Sequence, residues 1–208
     1  MSSTPKPPRV PILVVDCAVS TDPVERAGRA AAGRRFPVIL DPSPVERVPD
    51  RLLALADFVT PNSVEAERLT GIAVRSVADA LRAVRALIRR GAKVALVKMA
   101  QGGCVAATAD SAFAVRPTQV NAIDTTGAGD AFAAALAVAL LEGRGLPEAA
   151  RFAVAAAHVS VTRYGAQASY PDRAEVEKML ARLPSEEILN PQPDLMDNFC
   201  KRLQVTGG

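Results

Sequence analysis

Asp124-Thr125-Thr126-Gly127-Ala128-Gly129-Asp130 leads directly into the apolar run Ala131-Phe132-Ala133-Ala134-Ala135-Leu136. This spacing reads as a glycine turn that opens a helix and carries an acid in its first turn. The leading N–H groups of a helix lack internal partners and lie at the positive end of its dipole, so such a turn can hold an anion. Glycines let the main chain approach that anion closely. A carboxylate beside it, Asp130, can accept a proton from an attacking hydroxyl. A plainer reading is also open: a capped helix start, with Thr or Asp as the cap and the glycines only shaping the turn.

Two other phosphate-binding patterns do not fit. No G-x-x-x-x-G-K-[ST] loop occurs in the sequence. A dinucleotide fingerprint, G-x-G-x-x-G/A, requires a small residue at its last position, where Phe132 stands, and Asp130 inside a pyrophosphate cradle would repel the ligand. The arrangement suits deprotonation of an alcohol better than retention of a dinucleotide.

Positioning these groups is the task of alternating strands and helices. Strands are expected at residues 10–15, 37–40, 58–59, 94–97, 104–108 and 113–115, and helices at 22–35, 52–56, 76–90, 128–141, 146–163 and 172–183. In the clearest helix, Val77, Ala80, Leu81, Val84, Leu87 and Ile88 share a face and Gly91 follows as a C-terminal glycine. Strands spaced by helices of this length predict βαβ units: an α/β fold with three αβα layers and a mostly parallel sheet. Ligands in such folds gather where strand C-termini meet helix N-termini, and residues 60–65, 98–103 and 124–130 all fall there. Residues 1–9 read as a disordered N-terminal segment, 10–183 as the α/β nucleotide-binding portion, and 184–208 as a loosely attached extension.

Composition narrows the function classes. Hydrophobic residues make up 49% of the 208, a globular composition. The net charge of +3 comes from arginines scattered along helices, and aromatics are only 4%, so neither a basic surface nor a stacking platform for nucleic acid is expected. No apolar run is long enough to span a bilayer and no signal peptide is visible at the start, so a soluble, cytoplasmic protein without membrane partners is expected. Cys17, Cys104 and Cys200 are widely spaced, which disfavours a disulfide framework or structural zinc and suits a reducing compartment. The lone histidine, His158, is expected to pack near the surface of its helix.

From about residue 10 to 182 the sequence resembles the ribokinase-like (PfkB) family of carbohydrate and nucleoside kinases, its ribokinase branch most of all. The motifs carrying the resemblance are 124–130, Thr60-Pro61-Asn62-Ser63-Val64-Glu65, and Arg163-Tyr164-Gly165-Ala166-Gln167-Ala168-Ser169. The resemblance implies ATP-dependent phosphorylation of a sugar hydroxyl, ribose as the first guess, with fructose, a keto-deoxy sugar acid or a nucleoside as alternatives. Asp130 would be the catalytic base, and Gly127, Ala128 and Gly129 the anion hole. Asn62, Lys98, Ala100, Gly103, Gly129 and Val154 would meet the nucleotide. Asn62 and Glu65 would hold Mg2+, partly through water, although the same pair can form a helix capping box. K+ or a similar monovalent cation would take oxygens from Asp124, Thr126, Ser160, Arg163, Gly165 and Ser169, Arg163 through its main chain. Two ordinary loops packed together, with Asp124 pairing locally, is the alternative there.

Several positions depart from the family pattern. Ala100 replaces a glycine of the nucleotide loop, Val154 stands where a polar side chain is common, and Lys98 can equally be a strand-end residue reaching solvent. The glycine-rich sugar-binding segment and β-sheet lid are expected to be missing at the N-terminus. That would impair turnover and expose a sheet edge to self-association or to a missing partner segment. A catalytically silent nucleotide-binding or interaction module is the reading from outside the enzyme class.

Overall fold

The computed structural model describes residues 11–190; residues 1–10, of which 1–9 are expected to be disordered, lie outside the described residues, as do 191–208. Seven strands form one sheet in chain order: β1 (Leu13–Val15), β2 (Val38–Leu40), β3 (Phe58–Val59), β4 (Val94–Lys98), β5 (Cys104–Ala107), β6 (Ala112–Val115) and β7 (Glu187–Asn190). β1 to β4 run parallel, as the βαβ pattern predicts. The last three ladders are antiparallel, so the sheet is mixed. Short connections explain the first two of these, because five residues between β4 and β5 and four between β5 and β6 leave no room for a crossover helix.

Alternation along the strands divides the core in two. Ile39, Phe58, Val94, Leu96, Ala106 and Phe113 face α5 (Ala128–Leu141), α6 (Leu146–Ser160) and α7 (Arg173–Leu180). Their neighbours Leu40, Val59, Ala95, Val97, Val105 and Ala114 face α1 (Thr21–Gly33), α2 (Asp50–Leu55), α3 (Ser63–Thr70) and α4 (Val77–Arg89). This is the three-layer αβα architecture. The helices of the first three crossovers all lie on one face, as right-handed connections between successive parallel strands require.

α5 and α6 meet through buried alanines, including Ala131, Ala135 and Ala139 on one and Ala149, Ala153 and Ala156 on the other. Small residues bring the two axes close, and α5 is thereby held with its N-terminus over the strand ends. Enlarging one of these alanines would overpack the interface, at a cost of about 1–3 kcal/mol.

Two expectations are corrected. The segment after Pro184 is not merely a loose extension, because Glu187–Asn190 pairs with β6 as a sheet-edge strand. The helix expected over 146–163 ends at Ser160. Residues 161–170 leave the helix and return toward the glycine turn, where the Gly165 N–H donates to Asp124 Oδ2 at 2.9 Å. At the opposite edge, no strand among the described residues pairs with the outer side of β1, and Val14 there is 41% exposed.

Candidate active site

Three parallel strands deliver polar residues to one place. Asp41 follows β2, Asn62 follows β3 and Lys98 ends β4. Lys98 N–H donates to Pro61 O at 2.8 Å and forms a parallel bridge with Asn62, which locks the last two together. Lys98 does not reach into solvent: its Nζ lies 2.9 Å from Asp41 Oδ2, with side chains only 15% and 13% exposed. The ammonium also lies 5.8 Å from the centroid of the Phe132 ring, within cation–π range.

The glycine turn arrives opposite this pair. Gly127 begins α5 with φ +80°, a conformation that favours glycine, and no side chain caps the helix. A Cβ added there would approach Ala166 Cα to 3.0 Å and the Tyr170 ring to 3.1 Å, so the turn and the 163–170 loop need this bare backbone to meet. Ala128 N–H donates to Thr125 O within the turn, whereas the N–H groups of Gly127, Gly129 and Asp130 have no acceptor among the described residues. The amides that the turn leaves unpartnered among the described residues are therefore those of Gly127, Gly129 and Asp130, and not that of Ala128. A Cβ on Gly129 would lie 3.3 Å from Lys98 Nζ and 3.4 Å from Asp41 Oδ2, which places the helix start against the ion pair.

A cavity of about 540 Å³ opens between these elements. Asn62, Lys98, Ala100, Gly103, Gly129 and Val154, the six residues expected around a nucleotide, all line it. Asp130 is exposed and follows the lining residue Gly129 directly, and its Oδ2 accepts a hydrogen bond from Tyr170 O–H at 3.1 Å. His158 is not near the surface as expected; it is 5% exposed and forms part of the cavity wall.

Asn62 and Glu65 form the capping box of α3. Asn62 Oδ1 accepts from Glu65 N–H at 2.9 Å, and Glu65 Oε2 accepts from Asn62 N–H at 2.8 Å. Burial raises the Glu65 carboxyl above its usual range, the Asn62 hydrogen bond opposes this, nearby Asp41 adds to it and Lys98 offsets it. The folded chain thus holds the Glu65 proton more tightly than the unfolded chain. Stability from this source is fully present below the unfolded value of 4.5 and is lost as pH rises through the folded value. Glu65→Gln should therefore melt at a higher temperature than the parent at pH 8, with the difference shrinking toward pH 4.5. A difference independent of pH would assign the effect to something other than this ionisation.

The residues expected around a monovalent cation also converge. Asp124 accepts from Thr126 N–H and Gly165 N–H, each at 2.9 Å, and these bonds, Gly165 first, hold its carboxyl below the usual range. The carbonyls of Thr126, Arg163 and Gly165 accept no hydrogen bond among the described residues, which leaves oxygens of the kind a hard monovalent cation prefers. Ser160 O is already used by Arg163 N–H, and Ser169 Oγ donates to Ala166 O at 2.7 Å. The Arg163 side chain pairs with Glu175, so only its main chain is available. No cluster of three or more His, Cys, Asp or Glu ligands occurs among the described residues, and none of the described helices is long and apolar enough to cross a membrane.

Sequence reading missed Asp41 and Tyr170. Asp41 carried a signal, an acid placed directly after a fully buried strand, at the C-terminal end where ligands gather. Tyr170 carried none, because only the return of the 163–170 loop brings it to Asp130.

The pfkB family carbohydrate kinase profile matches residues 12–173. The chain is 38% identical over 157 residues to the ribokinase of Haemophilus influenzae, covering 76% of this chain and 51% of that protein. It is 39% identical over 165 residues to the ribokinase of Arabidopsis thaliana, covering 74% of this chain and 42% of that one. Among solved structures, the ribokinase of Thermotoga maritima superposes with a TM-score of 0.75 at 32% identity, covering 82% of this chain and 57% of that one. The Arabidopsis thaliana ribokinase complexed with ribose and ATP gives 0.74 at 34% identity, covering 81% and 55%. The chain spans about half the length of the curated relatives it matches. Its fold is ribokinase-like, and the chain belongs to the pfkB family of carbohydrate kinases.

Proposed function

We propose that the cavity receives ATP with Mg2+ and that the site transfers the terminal phosphoryl group to a sugar hydroxyl, ribose foremost. The observation that carries this reading is the meeting of the uncapped α5 N-terminus with Lys98 at one cavity, with Asp130 directly beside it. The free amides and the lysine stabilise charge on the phosphoryl group as it moves. Asp130 accepts the proton of the attacking hydroxyl. Asn62 and Glu65, with Asp41 beside them, supply oxygens for the hydrated magnesium, which when bound neutralises phosphate charge. A monovalent cation at Asp124 and the carbonyls of Thr126, Arg163 and Gly165 would brace the glycine turn from behind.

The test is to incubate the purified chain with ATP, Mg2+, K+ and ribose and to measure ADP and sugar phosphate. Fructose, keto-deoxy sugar acids and adenosine serve as competing acceptors. Formation of ribose phosphate, faster with K+ than with Na+, supports the reading. ATP binding without turnover on any acceptor favours a nucleotide-binding module instead, and failure to bind ATP ends both. Pairing of the open β1 edge with another strand belongs to the same reading, and light scattering at micromolar concentration measures it.

A further inference from the structure

His158 is a buried titratable side chain for which phosphoryl transfer has no use, yet it stands in the cavity wall. Its Nδ1 lies 2.8 Å from Val154 O, one turn back along α6. On its other side the imidazole interacts with the backbone at Thr118, in the segment that follows β6. Gly102, in the turn between β4 and β5, rests directly on the ring: a Cβ there would come within 3.0 Å of both Cε1 and Nε2. Gly102 has φ +89°, so the turn keeps this approach only with a bare Cα. One ring thus touches three separate elements that line the cavity: α6, the β4–β5 turn and the Thr118 segment.

Burial lowers the pKa of His158 below the usual histidine value, and no charged side chain contributes to the shift. The ring is therefore neutral near pH 7 and works as a spacer with one N–H, not as a charge. Around it the wall is uncharged, with the apolar Val120, Val154, Ala157 and Val161 beside Gln101, Thr118 and Gln119. The phosphate-holding groups, Lys98 and the α5 amides, belong to other residues of the same cavity. The division suits a ligand with a charged end and a flat, weakly polar end.

We propose that His158 is a positioning residue for the nucleoside end of the cavity: its ring sets how closely the β4–β5 turn and the Thr118 segment approach α6, and so the width of the slot that receives the nucleoside. The inference rests on the nucleotide reading above. It separates the recognition of nucleoside from that of phosphate within a single cavity.

The test compares ATP with inorganic tripolyphosphate, which has the charge but no nucleoside, by titration calorimetry in the presence of Mg2+. His158→Ala removes the spacer, and His158→Asn keeps a donor near Val154 O while removing the far side of the ring. Both should weaken ATP by about tenfold, the scale on which one or two missing carbons alter recognition in a pocket. Tripolyphosphate affinity should stay within about twofold. Thermal melts of both variants check folding, and the asparagine variant carries the test if the alanine variant does not fold. Unchanged ATP affinity overturns the proposal, and so does an equal loss for both ligands, which would mark a purely structural role. If the parent chain binds tripolyphosphate but not ATP, the slot is not a nucleoside site; if it binds neither, the nucleotide reading falls and this inference with it.

Discussion

Asp130→Asn should reduce ATP-dependent sugar phosphorylation by about 10²–10⁴-fold, the usual contribution of a positioned general base, while leaving ATP affinity nearly unchanged. The carboxylate sits in the first turn of α5 and is exposed, so it is free to meet an acceptor hydroxyl approaching from outside the cavity. Asparagine is nearly isosteric and its carbonyl oxygen can still accept the Tyr170 O–H bond, so the loop around Tyr170 should hold its place. What disappears is the ability to take a proton. The tyrosine itself is held above its ordinary pKa, by burial first and then by its bond to Asp130, so it remains a donor across the working range. Tyr170→Phe serves as the control. It leaves Asp130 with its charge but without this tether, and only a modest change in rate is expected. An unchanged rate in Asp130→Asn would show that the base is misassigned, and a loss of ATP affinity would move the residue from proton transfer to binding.

Local signals carried much of the architecture. The helix at Val77–Arg89 was legible because its apolar residues recur on one face, and because Ser76 and Gly91 mark its ends. The parallel strands β2, β3 and β4 were legible as short buried apolar runs between helices. The placement of Asn62, Lys98 and the glycine turn at one cavity was legible, since topology alone puts strand C-termini and helix N-termini together. What stayed hidden depends on contacts between distant residues. Asp41 pairs with Lys98 57 positions away, and Tyr170 reaches Asp130 across 40. β7 was hidden as well, because Glu187-Ile188-Leu189-Asn190 has no strong strand pattern, and only the free edge of β6 makes it a strand. His158 was misjudged because a single histidine in an alanine-rich helix does not show which neighbours will cover it. The capping box of Asn62 and Glu65 is compatible with the proposed magnesium-holding role, as the sequence allowed. The box orients the very carboxylate that stands near Asp41 and Lys98.

Lys98→Met should separate the two functions of the ion pair at the strand ends. Methionine keeps the length of the side chain but removes the charge, so Asp41 is left with little solvent and no counter-charge, close to the Glu65 carboxylate. Breaking a fully buried pair in this way costs 3–5 kcal/mol; residual exposure of both side chains reduces that here to about 2–3 kcal/mol. A melt or urea titration reads the loss. Phosphate recognition should suffer independently: ATP and inorganic tripolyphosphate should both weaken by about 10–100-fold, since a charge-assisted contact to phosphate is removed. The two effects part company in the double variant Lys98→Met with Asp41→Asn. Neutralising the orphaned carboxylate should restore most of the stability, because nothing charged is then left unpaired at that position. It should not restore ATP affinity, because on the proposed reading the missing cation is the one that meets the phosphate. If the double variant recovers both, the lysine acts on the nucleotide only by keeping the strand ends in register. If it recovers neither, Asp41 has a further role in holding the metal–phosphate assembly, which a Mg2+ titration of Asp41→Asn alone would expose as a raised magnesium requirement.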